Sequence, residues 1–178
     1  MPLRNISYNQ ARPSAALAVG RLKPFFDVTH KGNGMTRIDF YVLPTNAPHE
    51  RRVLACKLTE KAWRQGMTVY IHTSSETETG IMDKLLWTFR QGSFIPHEIS
   101  TAAPIEREDM SVLVGHGHPP DNFRELLINL SLDTPPLLGE YQRVAELVDE
   151  DETVRAEGRK RYLVYKQQGR LLETHKIV

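Results

Sequence analysis

The sequence holds a single cysteine, Cys56. One thiol excludes an intrachain disulfide framework and a cysteine-rich zinc site. Cys56 stands among residues of helical spacing, so a buried thiol in a reducing cytoplasm is expected. No apolar run approaches the roughly 18–20 residues of a membrane span. The stretch AALAV near the N-terminus is too short for the core of a secretory leader. There is no GxxxxGK[ST] loop and no GxSxG nucleophile turn. No GxGxxG follows the first apolar run, where a dinucleotide fold needs it; Pro44-Thr45-Asn46-Ala47-Pro48 stands there instead. Internal repeats are absent too. What remains is 178 residues, 40% hydrophobic and 25% charged, the make-up of one soluble domain with a real core.

Charge is present but unevenly placed. Residues 155–178 hold seven Lys/Arg and two Asp/Glu, net +5, whereas residues 35–154 hold eleven and nineteen, net −8. Within a helix expected over residues 149–169, Arg155, Arg159, Tyr162 and Lys166 fall at i, i+4, i+7 and i+11. That spacing puts three cations and one ring on a single face. A compact basic face on an acidic domain suits a localised acidic partner. It argues against strong direct binding of nucleic acid, which needs a broad positive field. The plain alternative is a solvated helix whose acidic start and basic end complement its dipole.

Residues 1–34 differ from the rest, with five Lys/Arg, one Asp, three prolines and weak hydrophobic periodicity. They read as a disordered extension outside the domain. The Lys31-Gly32-Asn33-Gly34 run would be encoded by purine-rich codons resembling a ribosome-binding site, which makes Met35 a candidate start. From there the pattern alternates: strand at 38–43, helix at 49–65, strand at 67–73, helix from 76 to about 90. Further strands are expected at 94–99, 111–115, 125–132 and 143–148, before the last helix. The order implies an α/β fold: a three-layer α/β/α sandwich on a mostly parallel sheet, Rossmann-like but without its glycine loop.

Candidate chemistry is sparse. Gly115-His116-Gly117-His118 offers two histidines but no cysteine or helical carboxylate, so a metal is not expected. His72 and His97 read as structural before they read as general bases. Glu106, Glu108 and Asp109 are explained as well by a solvated turn as by a pair of catalytic carboxylates. No catalytic residue and no cofactor is therefore assigned, although catalytic groups converge in space rather than in sequence. A small α/β enzyme acting on a phosphorylated or nucleotide substrate through the 115–118 loop stays as the alternative function.

Several segments, in order, carry a resemblance: DFYVL; Ala62-Trp63-Arg64-Gln65-Gly66; MTVYIHT; Leu85-Leu86-Trp87-Thr88-Phe89; then Phe94-Ile95-Pro96-His97. Val112-Leu113-Val114-Gly115 and Leu127-Ile128-Asn129-Leu130 follow, and the chain closes on Arg159-Lys160-Arg161-Tyr162-Leu163-Val164-Tyr165-Lys166. In combination they resemble the chi subunit family of bacterial DNA polymerase III, over residues 35–178. The resemblance implies a non-catalytic, cytoplasmic accessory subunit of the clamp-loader complex. It would bridge the psi subunit and the single-stranded-DNA-binding protein, whose acidic tail ends in Pro-Phe.

Such a tail needs cations beside an apolar pocket. The resemblance then implies Arg159 for the terminal carboxylate and Arg155 for the acidic residues. Tyr162 and Val148 would wall the phenylalanine pocket, with Lys166 a weaker contact. Trp87, Phe94 and Pro96 become the implied surface for psi, or for a competing helicase-like partner. From the residues alone these aromatics read first as core.

Overall fold

The computed structural model describes residues 35–100 and 110–178. The extension expected at 1–34 and the cluster Glu106, Glu108 and Asp109 lie outside the described residues.

Among the described residues, seven strands and three helices follow one another. They are β1 (Arg37–Val42), α1 (Pro48–Arg64), β2 (Val69–His72), α2 (Glu76–Thr88), β3 (Glu98–Ile99), β4 (Val112–Gly115), β5 (Leu126–Asn129), β6 (Arg143–Val148), α3 (Glu152–Gln167) and β7 (Leu171–Lys176). A 3-10 turn at Leu138–Glu140 precedes β6. The strands form one sheet in the order β3-β4-β2-β5-β6-β1-β7, and every pairing is parallel. The expected α/β class therefore holds, with a sheet that is wholly rather than mostly parallel. A parallel sheet is covered on both faces, and β2, β4, β5 and β6 are buried along their whole length.

The order dictates where the helices go. Right-handed crossovers carry the chain through α1 and α2 in one direction along the sheet, and through α3 in the other. The two groups must therefore cover opposite faces. Side-chain rows agree. Leu113, Tyr70, Leu127, Val144 and Ile38 are in register across five strands. They share one core with Tyr165 of α3. Where α3 does not reach, Phe123 and Tyr141 from the loops complete this side, with Leu137 and Leu138 packed against it.

Local chemistry sets the boundaries. Ser75 Oγ accepts from Glu78 N at the start of α2. Asp151 Oδ1 accepts from Thr153 N and Val154 N, at 2.9 and 3.0 Å, so α3 begins at Glu152 rather than at 149. Gly66 and Gly169 follow α1 and α3 with φ of +78° and +70°, a left-handed stop that glycine takes without strain. Of the strand expected at 94–99, two residues form; Pro96 has no N–H to donate to a ladder. Strand β7 was not anticipated, because LLETHK has no two-residue alternation of apolar and polar side chains.

Candidate partner-binding surfaces

Helix α3 presents two different faces. Inward, Gly158 lies so close to β6 that a Cβ there would stand 2.9 Å from Val148 Cγ2. Arg161 is buried and reaches Glu146 of β6 through Nε and Nη2, at 3.1 and 2.9 Å. Its Nη1 donates to the Leu132 carbonyl. Tyr165 donates its hydroxyl to Glu146 Oε1 at 2.8 Å, and Asn129 Nδ2 donates to Oε2 at 3.0 Å. Burial, and then the Glu146 carboxylate, push the Tyr165 hydroxyl well above its ordinary pKa. Glu146 is completely buried. A carboxylate there is tolerable only because a guanidinium and two further donors satisfy it. Half of the Arg-x-Arg-Tyr-x-x-Tyr segment is thus architecture. The reading that concentrated on the outward spacing missed Arg161, Tyr165 and Glu146.

Outward, Arg155, Arg159 and Lys166 are exposed. Among the described residues, none of the three makes an ion pair or a side-chain hydrogen bond. The other two cations of the helix are engaged: Lys160 with Glu157 at 2.6 Å, and Arg161 with Glu146. Arg155 and Arg159 line one open cleft of about 210 Å³, together with Glu150 and Glu152. Tyr162 is half-buried, edge-on to Phe40 with ring centroids 5.2 Å apart. Val148 is buried under Gly158. Neither Val148 nor Tyr162 lines this cleft; the structure brings Arg155 and Arg159 together and sets the other two beside and beneath the helix.

A second surface lies at the far end of α2. Trp87 is 47% exposed and Phe94 59%, with ring centroids 5.2 Å apart. These rings are not core. The chain after Phe94 alternates, with Ile95 and His97 buried and Pro96 half-buried, so two buried anchors just beyond it hold the exposed Phe94 ring against Trp87.

The remaining candidates are accounted for inside the fold. His116 and His118 are exposed, and Tyr70 donates its hydroxyl to the Gly117 carbonyl at 3.0 Å. Burial pushes His72 down to about 4; His116 and His118 add to this, and Asp133 opposes it. At the carboxyl ends of the strands, where open α/β sheets take ligands, a crevice opens among Pro48, Arg51, Asp149 and Asp151. There Arg51 and Asp149 pair at 3.3 Å. Helix α1 begins with Pro48, which has no N–H, and Glu50 N already donates to the Ala47 carbonyl at 3.0 Å, so these residues offer neither a glycine loop nor a run of free amides for a phosphate.

Asp39, Glu173 and His175 bring their ligand atoms within 4.8 Å of one another. Asp39, however, already accepts from Arg143 at 2.5 Å, from Arg37 at 3.2 Å and from His175 Nε2 at 2.9 Å. Burial raises its pKa, but the hydrogen bonds and charge of Arg143, the hydrogen bond of His175 and the charge of Arg37 outweigh burial and hold it below the ordinary value. Two guanidiniums on the same carboxylate repel a metal ion.

The family described as DNA polymerase III chi subunit, HolC, matches residues 35–173. The DNA polymerase III subunit chi of Pseudomonas aeruginosa is 44% identical over 143 residues, covering 80% of this chain and 98% of that protein. The protein of the same name from Haemophilus influenzae is 31% identical, covering 78% and 95%. That of Escherichia coli is 24% identical, covering 68% and 82%. The crystal structure of T4 UvsW matches with a TM-score of 0.58 at 9% identity; the match covers 81% of this chain and 42% of that one, and shows the fold alone. On the family match and the relatives at 44% and 31% identity, the chain belongs to the DNA polymerase III chi subunit family.

Proposed function

We propose that this chain is a non-catalytic, cytoplasmic accessory subunit of the clamp-loader complex. It grips the acidic C-terminal tail of single-stranded-DNA-binding protein on α3 and the psi subunit at Trp87, Phe94 and Pro96. The observation that carries the first half is the selective pairing on α3: inward and flanking cations are neutralised, while Arg155, Arg159 and Lys166 stand exposed without a partner among the described residues. An unpaired guanidinium can take a carboxylate in two parallel hydrogen bonds. Glu150 and Glu152 in the same cleft oppose any anion there, so in this cleft the tail is held only through direct pairing with the guanidiniums. Two large rings left in solvent support the second half, since apolar area of this kind marks an interface. A helicase-like protein is an alternative occupant of that patch.

Titration of the full chain with a peptide of several aspartates ending in Pro-Phe tests the tail site. Binding is expected, and no binding at low salt would remove it. Co-purification with psi tests the aromatic surface. Trp87→Ala and Phe94→Ala are each expected to lose psi, keep the peptide and stay folded. The alternative, an enzyme for a phosphorylated or nucleotide substrate, gains no support from a strand-end crevice in which Arg51 is already paired with Asp149.

A further inference from the structure

Beneath the aromatic surface lies a histidine with an unusual set of neighbours. The side chain of His97 is fully buried. Its Nδ1 faces the Ile95 carbonyl oxygen at 2.7 Å. Its Nε2 faces the Asp83 carbonyl oxygen at 3.1 Å and Asp83 Oδ1 at 3.3 Å. All three are acceptors. A neutral imidazole has one N–H and one lone pair. Either neutral tautomer would therefore aim a lone pair at an oxygen from a fully buried ring. The imidazolium has two N–H groups and satisfies both sides. The Trp87 ring stands beside it, tilted by 48°, with centroids 4.8 Å apart, within the distance range of cation–π attraction.

We infer that His97 carries a proton on both ring nitrogens and is the positioning residue of the Trp87–Phe94 surface. One bond ties it to Ile95, next to Phe94. The other ties it to Asp83, one turn before Trp87 on α2. The cation thus clamps both halves of the patch and lies against the indole. This rests on the reading of Trp87 and Phe94 as a partner surface. From α2 the charged group facing the ring is Asp83. On its own segment Glu98 follows it, and β4, the neighbour of β3, contributes Val112–Gly115 with no ionisable side chain. Loss of one proton turns one hydrogen bond into a repulsion and frees the segment that carries Phe94. Partner affinity at this surface therefore depends on both hydrogen bonds of His97.

Nitrogen NMR of the free, full-length chain decides the protonation state without any partner. Two ring N–H groups on His97 near neutral pH are expected; a single tautomer overturns the inference. Titration with psi then reads the consequence. In His97→Gln, affinity is expected to fall roughly fivefold, the equivalent of one ordinary hydrogen bond. The far-ultraviolet spectrum and acidic-peptide binding should stay unchanged. Unchanged psi affinity in a folded His97→Gln overturns the positioning role. In a Trp63→Phe background Trp87 is the one indole left, and an imidazolium against it quenches its emission. Brighter emission in His97→Gln is expected, and equal emission counts against the contact. If Trp87→Ala leaves psi binding intact, the partner reading fails while the NMR result on His97 still stands.

Discussion

Gly158 of α3 and Val148 of β6 touch so closely that the two elements meet backbone to side chain: a Cβ on Gly158 would lie 2.9 Å from Val148 Cγ2. A glycine inside a helix ordinarily costs about 1 kcal/mol relative to alanine. Here it sets the depth at which the basic helix rides on the sheet.

Gly158→Ala is accordingly expected to lose stability rather than gain it, by about 1–2 kcal/mol, the usual range for an extra methyl group in a packed core. Val148 is β-branched and buried, so it has little freedom to turn away. Adding Val148→Ala to the same chain should recover most of the loss. Urea denaturation of the single and double variants is the measurement. A single variant as stable as the parent would show that α3 can lift without cost.

The Glu146–Arg161 pair is predicted to behave as a unit. Arg161→Met leaves a carboxylate at the centre of the sheet with Asn129 and Tyr165 as its remaining partners. The expected cost is about 3–5 kcal/mol. Glu146→Leu combined with Arg161→Met should be far milder, because neither charge is then stranded. A cycle of the parent, both single variants and the double variant, followed by denaturant, gives the coupling. Additive losses would mean that the two side chains do not depend on each other.

Arg159→Ala should weaken acidic-tail binding by roughly 1.5–3 kcal/mol, the range for a hydrogen bond to a charged group, and leave the fold intact. Lys166→Ala should do less. Affinity should fall as salt rises, since exposed pairs are screened over about 8–10 Å. It should not vanish, because the terminal phenylalanine buries apolar area that salt does not screen. Isothermal titration at two ionic strengths checks both points. Equal affinity in Arg159→Ala removes that residue from the site.

His72 predicts a loss of stability in weak acid. Its folded-state pKa is pushed down to about 4 from 6.5, first by burial. Between those values the unfolded chain binds a proton that the folded chain refuses, so stability falls as pH falls through the window. The total is on the order of 3 kcal/mol. Asp39 acts in a different range. Its pKa is held below 3.8, so its contribution is complete above that value and disappears only in stronger acid. His72→Leu should flatten the stability profile between about pH 6.5 and 4 while leaving the steeper acid loss. An unchanged slope would place the protonating group elsewhere.

The sequence by itself determined the elements and much of the outward chemistry. Periodicity gave β1, α1, β2, α2, β6 and α3 to within a few residues, because each has a continuous apolar face whose repeat identifies it. The spacing of Arg155, Arg159 and Lys166 also sufficed, since residues on one helix face remain neighbours whatever the helix packs against. The resemblance, too, was carried by residues alone.

Tertiary structure decided what depends on elements far apart in the chain. It placed β1 between β6 and β7, a pairing that no local pattern encodes. It turned Arg161 inward, because Glu146 waits on a strand fifteen residues earlier. It left Trp87 and Phe94 in solvent, since the core on their side is closed by Met82, Leu86 and Ile95, all fully buried. The sign of a residue's contribution, buried partner or free hand, is fixed by what stands opposite it. For α3 that is β6: the sheet neutralises Arg161 and has no carboxylate to offer Arg159.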